Sequence, residues 1–208
     1  MSNKKAELRA YTCELRAEQN EENGTYITGR PIVYGQRTNL GLYDEIIEPG
    51  ALDGADLRDV ALLVNHVQDM VPLARSRRNN ANSTMQLSPV EGGLDIRANL
   101  DIENNPTAAE TYSAVQRGDM DGMSFRFWVG RETWEELDSE HPVRRINEIE
   151  AVSEVSVVTY PAYKDTYVGV EARDNAEALE RAKALLESRR TKAKNAELVA
   201  QLKAAREK

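Results

Sequence analysis

The chain is poor in the residues from which several common sites are built. It has a single cysteine, Cys13, which excludes an internal disulfide framework and fits a reducing compartment. There are only two histidines, His66 and His141, and no His/Cys cluster at ligand spacing, so no metal site is expected. Neither GxxxxGK[ST] nor GxGxxG occurs, and with them go the phosphate-cradling loops; no cofactor is expected. No apolar run approaches the roughly 20 residues of a membrane span. Met1-Ser-Asn-Lys-Lys leads into Ala-Glu-Leu-Arg, which is not the start of a signal peptide. These features predict a soluble intracellular protein with no membrane partner.

What is present is charge and alternation. Charged residues make up 30% of the 208, with a formal net charge of −8, which argues against nonspecific nucleic-acid binding. The charge is uneven. Residues 172–208 hold ten Lys/Arg and six Asp/Glu, leaving −12 on the remainder. The expected organisation is therefore an acidic body, 1–171, and a charged helical tail, 172–208. From Asn175 onward the chain is rich in Ala, Glu, Lys, Leu and Arg without Gly or Pro, a helical composition. Its apolar stripe (Leu179, Ala182, Leu186, Leu198, Leu202) is thin, which predicts a helix outside the core.

The body reads as strands. Residues 6–16, 25–34, 43–48 and 60–66 carry alternating or compact apolar patterns, and residues 51–57 read as a short helix. Strands at 84–88 and 93–101 flank Pro89-Val-Glu-Gly-Gly as a hairpin. Asn105-Pro106 opens a helix over 107–117, with Ala108, Tyr112 and Val115 on one face and Gly118 as its stop. Two further strands, 143–150 and 151–159, follow an acidic loop at 134–142. About nine strands, one or two embedded helices and a helical tail predict a mainly β (α+β) body, a β-barrel or sandwich.

The chemistry centres on Asp121-Gly-Met-Ser-Phe-Arg-Phe127. Asp-Gly is a turn signal, and the alternation from Met123 sets Ser124 at the first ordered strand position, on the face of Arg126 and opposite Met123 and Phe125. A hydroxyl held there is rigid and reachable, as a nucleophile requires; the pattern alone equally fits an ordinary strand serine. A serine needs a base, and the base needs a third group to orient it. His66 ends a buried apolar strand, whereas His141 lies in the loop Asp-Ser-Glu-His-Pro. Glu154 interrupts the β-branched run 152–159, where a carboxylate must be paired or face solvent; Glu150 and Glu148 are its rivals.

Asn65-His66, Met123-Ser124-Phe125 and Glu154-Val-Ser-Val-Val-Thr-Tyr-Pro-Ala, in that order, resemble the prohead (capsid-maturation) serine protease family of tailed phages, which is distantly related to the herpesvirus assemblins. Gly29-Arg-Pro-Ile-Val-Tyr-Gly and Tyr43-Asp-Glu-Ile-Ile-Glu-Pro-Gly-Ala-Leu resemble its opening strands, so that the likeness covers roughly residues 8–168. The resemblance implies a closed or nearly closed β-barrel flanked by helices. It implies Ser124 as nucleophile, His66 as general base and Glu154 as the orienting acid. It further implies a serine endopeptidase inside the procapsid in the host cytoplasm, cutting scaffold, major capsid protein and often itself, with homo-oligomerisation a possible mode of activation. The assemblins' arginine pair after the third triad member has no counterpart in Val155–Tyr163; backbone N–H groups, Lys164 or Arg126 are the candidates for the oxyanion. The tail would bind scaffold helices or be removed by self-cleavage. The reading from another class is a non-catalytic β-barrel, a structural or scaffold-associated capsid component.

Overall fold

In the computed structural model, residues 5–20, 24–160 and 170–206 are described. Eleven strands and two helices follow one another among them. The strands are β1 (Glu7–Thr12), β2 (Arg16–Asn20), β3 (Gly24–Val33), β4 (Thr38–Asn39), β5 (Asp44–Ile47), β6 (Ala61–Val64), β7 (Ala74–Arg75), β8 (Met85–Val90), β9 (Gly93–Asn99), β10 (Gly122–Glu135) and β11 (Val143–Val158). Helix α1 is Pro106–Arg117 and α2 is Val170–Arg206.

They form two sheets. One has seven strands along β1-β10-β11-β5-β4, with β6 added to the far part of β11 and β7 to β6. The other has the order β2-β3-β9-β8. No closed barrel is found among the described residues: the sheets end at separate strands and meet through their side chains. Met123, Phe125, Phe127, Val155 and Val157 from the first sheet bury against Ile27, Ile32, Leu94 and Ile96 from the second. Gly29 marks the close approach, since a Cβ there would lie 2.6 Å from Met123 Sδ.

The long hairpin β10–β11 is the spine. The sequence suggests a break near residue 150, and instead β11 is continuous over 16 residues. Register shifts beside Phe127, Val129 and Arg131 bend the pair without interrupting it. The acidic loop is correspondingly shorter, because β10 runs on to Glu135. Residues 51–54 are turns and Asp56 is tied to β11 by a bridge to Ala151, so that 51–57 do not form the expected helix.

Helix α1 forms as its sequence predicts. Asn105 caps it by accepting from the Thr107 and Ala108 amides, and Gly118 closes it at φ 77°. Helix α2 departs from expectation at its near end. Asn175, Ala178, Leu179 and Ala182 are buried, and Leu179 packs with Leu40, Tyr43, Trp134 and Leu137. Tyr43 donates to Asn175 Oδ1 at 3.3 Å. The side chains of 187–197 are exposed. No described helix is long and apolar enough to cross a membrane.

Below α2 lies a buried ionic cluster that alternation alone does not reveal. Arg9 and Arg144 are 2% and 1% exposed, and between them sit Glu7 and Glu45. Arg9 reaches Glu45 at 2.5 Å and Glu7 at 2.8 Å; Arg144 reaches Glu7 at 2.6 Å and Glu45 at 3.0 Å. Arg144 also bonds the half-buried Glu132, at 2.8 Å from Nε, so each guanidinium is held by carboxylates on more than one side, which is what makes its burial tolerable. Burial alone would raise the Glu7 carboxyl, but the hydrogen bond from Arg144 and the charges of Arg9 and Arg144 outweigh it and hold it at about 2.

Candidate active site

The candidate face is the side of β10–β11 turned away from the inter-sheet core. On β10 it carries Ser124 and Arg126; on β11 it carries Glu154 and Ser156. The pairing sets Ser124 opposite Ser156 and Arg126 opposite Glu154. Strand β6 joins in parallel on the other side of β11, with Ala61 beside Glu154 and Val64 beside Val157. That pairing sets the β6 end beside Val157, and the left-handed turn after it brings the His66 side chain back to Glu154.

The turn after β6 is locally costly and firmly tied. Asn65 and His66 both have left-handed backbone, at φ 49° and 60°. Such geometry is unusual for two adjacent residues with side chains and persists where neighbours over-determine it. Here the Asn65 amide N–H donates to the Val157 carbonyl at 3.0 Å, and its side chain exchanges hydrogen bonds with Thr159, at 3.1 Å to Oγ1 and 3.0 Å from the backbone N–H. The His66 backbone N–H donates to Ser156 Oγ at 3.3 Å.

His66 Nδ1 is in direct hydrogen-bond contact with Glu154 Oε1. Glu154 is 3% exposed, so the carboxylate at the centre of the apolar run is paired and does not face solvent. With Nδ1–H donated to the carboxylate, Nε2 carries the free lone pair. This is the tautomer that a general base requires. Arg126 Nε lies 3.6 Å from the same Oε1. With the Gln68 amide turned so that its oxygen faces Arg126, that oxygen accepts from Arg126 Nε and one of its terminal nitrogens, each at 3.2 Å. Ser156 Oγ is 3.4 Å from His66 Nδ1. The result is a connected chain: Gln68, Arg126, Glu154, His66, Ser156.

Ser124 is next to this chain but not bonded into it. Its hydroxyl is wholly buried and donates to the Arg9 carbonyl of β1 at 2.8 Å. The expectation of a reachable hydroxyl is therefore corrected for this conformation: β1, paired to β10 with Ala10 opposite Ser124, supplies an acceptor on the other side. The rival residues lie elsewhere. Glu148 and Glu150 are exposed, Glu148 beside Arg131 at 3.8 Å. His141 Nε2 bonds Asp44 Oδ1 at 2.8 Å, at the opposite end of β11. Lys164 lies outside the described residues. Alternation puts Ser156 on the face of Glu154 but gives it no role, while Gln68 and the Arg9 carbonyl carry no local signal and are brought in only by the tertiary fold.

A histidine bonded to a buried carboxylate is the base-and-orienter half of a serine-hydrolase triad, and two serines lie on the same face. The chain belongs to the caudovirus prohead serine protease family, whose model matches residues 12–181. It is 30% identical over 140 residues to the prohead protease of Enterobacteria phage HK97, an alignment covering 65% of this chain and 56% of that protein. The chain thus spans little more than half the length of that relative. No solved structure matches it significantly.

Proposed function

We propose that the chain is a serine endopeptidase of phage capsid maturation, with Ser124 as nucleophile, His66 as general base and Glu154 as the residue that orients the base. The observation that carries this is the His66–Glu154 pair, one strand away from Ser124 and held by a left-handed turn. Family membership and the likeness to the HK97 prohead protease support it.

Rotation about the Ser124 Cα–Cβ bond exchanges one acceptor side for the other, from β1 toward β11. It breaks a single hydrogen bond, a cost of about 1 kcal/mol. The described conformation is then a resting state. In the active one, Oγ attacks the scissile carbonyl while His66 Nε2 takes its proton, and Glu154 stabilises the imidazolium that forms. The proton passes to the leaving amine, and water, activated by the same nitrogen, releases the acyl group. Arg126, gripped by Gln68, keeps a positive charge beside Glu154. Backbone N–H groups and Arg126 are the described candidates for the oxyanion.

The substrates in this reading are scaffold and major capsid protein, and the chain itself, inside the procapsid in the host cytoplasm. The exposed part of α2 is where scaffold would dock or self-cleavage would act. A second assignment of the nucleophile rests on one distance, the 3.4 Å between Ser156 Oγ and His66 Nδ1. It is weaker, because Nδ1 is already engaged by Glu154.

Labelling with a fluorophosphonate at high protein concentration, followed by peptide mass mapping, tests the reading. An adduct on Ser124, lost in His66→Ala, supports it. An adduct on Ser156 transfers the role to that residue. No adduct in concentrated or assembled protein returns the chain to the non-catalytic, structural class, with which the burial of Ser124 also agrees.

A further inference from the structure

Beside the serine–histidine face lies a groove of about 500 Å³. Trp128, Ala151 and Ser153 line it from β10 and β11, and Arg58, Arg77 and Arg78 from the segments flanking β6 and β7. Trp128 shares the face of Ser124 and Arg126 by strand alternation and is paired with Ala151. The groove thus lies along the same two strands as the site, with Ser153 the chain neighbour of Glu154 and Trp128 two residues beyond Arg126. Along β10, Trp128 is four residues from Ser124, or about 13 Å at the rise of a strand.

The charges of this groove are not self-cancelling. Asp56 is taken by Arg58, which lowers its carboxyl to about 2, and Asp59 is taken by Arg75 at 2.6 Å. Among the described residues, neither Arg77 nor Arg78 is hydrogen-bonded to a carboxylate; their charges add to the lowering of Asp59 and Asp56 from a distance, and Arg58, Arg77 and Arg78 against Asp56 and Asp59 leave one cation in excess. Arg77 Nη1 donates only to the Asn82 carbonyl, at 2.9 Å.

The loop that presents these two arginines is built at a cost. Arg78 and Asn79 have φ of 57° and 49°, a left-handed pair that a bulky residue such as arginine rarely joins. It is fixed by several bonds. The Asn79 amide bonds both backbone groups of Leu87, at 2.7 and 3.0 Å; the Arg77 N–H donates to Ser83 Oγ at 2.8 Å; the Arg78 N–H donates to the Arg58 carbonyl at 2.8 Å. Strain held in place by such ties, at the rim of a groove beside a candidate catalytic face, is a mark of preorganisation for a ligand. The ligand's sign follows from the unbalanced guanidinium groups. Its shape follows from the run Ala151–Val152–Ser153 along β11 and the half-buried indole of Trp128, which suit an extended polypeptide.

We propose that this groove is a substrate subsite that binds an acidic side chain of an extended polypeptide, about four residues from the bond cut at Ser124. The distance to the scissile bond rests on the protease reading above; the acidic preference does not. An extended chain covers about 13 Å in four residues. Arg77 and Arg78 receive the carboxylate, and Trp128 supports the adjoining side chain.

The test uses the full chain carrying Ser124→Ala and a fluorescent twelve-residue peptide with two adjacent glutamates, against the same peptide with glutamines. The glutamate peptide is expected to bind at least about tenfold more tightly at low salt, a difference typical of charge-assisted recognition. Arg77→Gln/Arg78→Gln abolishes the difference, and Arg77→Lys/Arg78→Lys, which keeps the charge, restores a large part of it. Equal or absent binding of both peptides overturns the proposal, as does a glutamate preference untouched by the glutamine variant or stronger binding of a single-stranded oligonucleotide. Fluorophosphonate labelling of the chain with native Ser124 separates the two readings. Glutamate-selective binding without labelling retains the groove and removes the protease; labelling without glutamate selectivity does the reverse.

Discussion

Ser124 and Ser156 stand opposite each other across β10–β11, yet their hydroxyls serve different partners. That of Ser124 donates to the Arg9 carbonyl, and that of Ser156 lies against His66. The two are therefore separable by substitution. Ser124→Ala is expected to lower peptide cleavage by about 10⁴-fold or more, the scale of a lost nucleophile. Ser156→Ala, which removes an acceptor for the His66 backbone N–H, is expected to cost about 1 kcal/mol of stability and to leave cleavage within about tenfold. Steady-state kinetics with both variants on one substrate decides between them.

Glu154→Gln keeps the shape of the side chain and removes the charge that fixes the His66 tautomer. Cleavage should fall by about 10² to 10⁴-fold while the protein stays folded. Glu150→Gln and Glu148→Gln, at exposed positions, should stay within about twofold of the parent. Activity and circular dichroism on the three variants check this. A comparable loss in Glu150→Gln would move the third role to that residue.

The cluster of Glu7, Arg9, Glu45 and Arg144 predicts an acid limit to stability. The Glu7 carboxyl is lowered from the ordinary 4.5 to about 2, so unfolding it releases a group that binds a proton more readily. Its contribution, on the order of 3 kcal/mol, is fully present above about pH 4.5 and is lost as the pH falls toward 2. Urea midpoints measured from pH 7 to pH 2.5 should show that fall. In Glu7→Gln the slope should flatten, on top of a lower stability at neutral pH from the broken pairs with Arg9 and Arg144.

Gly93→Ala tests the hairpin at the edge of the second sheet. Its φ of 142° is open only to glycine, and an added Cβ would lie 1.9 Å from the Ile32 carbonyl oxygen. Backbone must move to make room, with an expected loss of about 3 kcal/mol seen as a lower thermal midpoint.

How far the sequence reveals the protein depends on the range of the interaction. Asn105, Gly118 and the face Ala108–Tyr112–Val115 act within one helix, and α1 is legible to a residue or two. The facing of Ser124 with Arg126, and of Glu154 with Ser156, follows from a period of two and is equally legible. The pairing of Glu154 with His66 was only one of several options, because parallel alignment of β6 with β11 joins residues 88 apart. What covers Ser124 had no local signal at all, since its acceptor sits 115 residues earlier. Likewise Arg9, Glu45 and Arg144 look like solvent-facing members of alternating strands until α2 and β1 bring them under cover. The continuity of β11 was hidden by the charged pair Glu148 and Glu150, which the bent hairpin leaves at its surface.

The most direct measurement is co-expression of the chain, wild type and Ser124→Ala, with the scaffold and major capsid proteins encoded beside it, followed by intact-mass analysis of the assembled shells. The account predicts shortened capsid and scaffold chains with the wild type and full-length ones with the alanine variant. Identical masses in both, in shells that assemble normally and contain the chain, would contradict it.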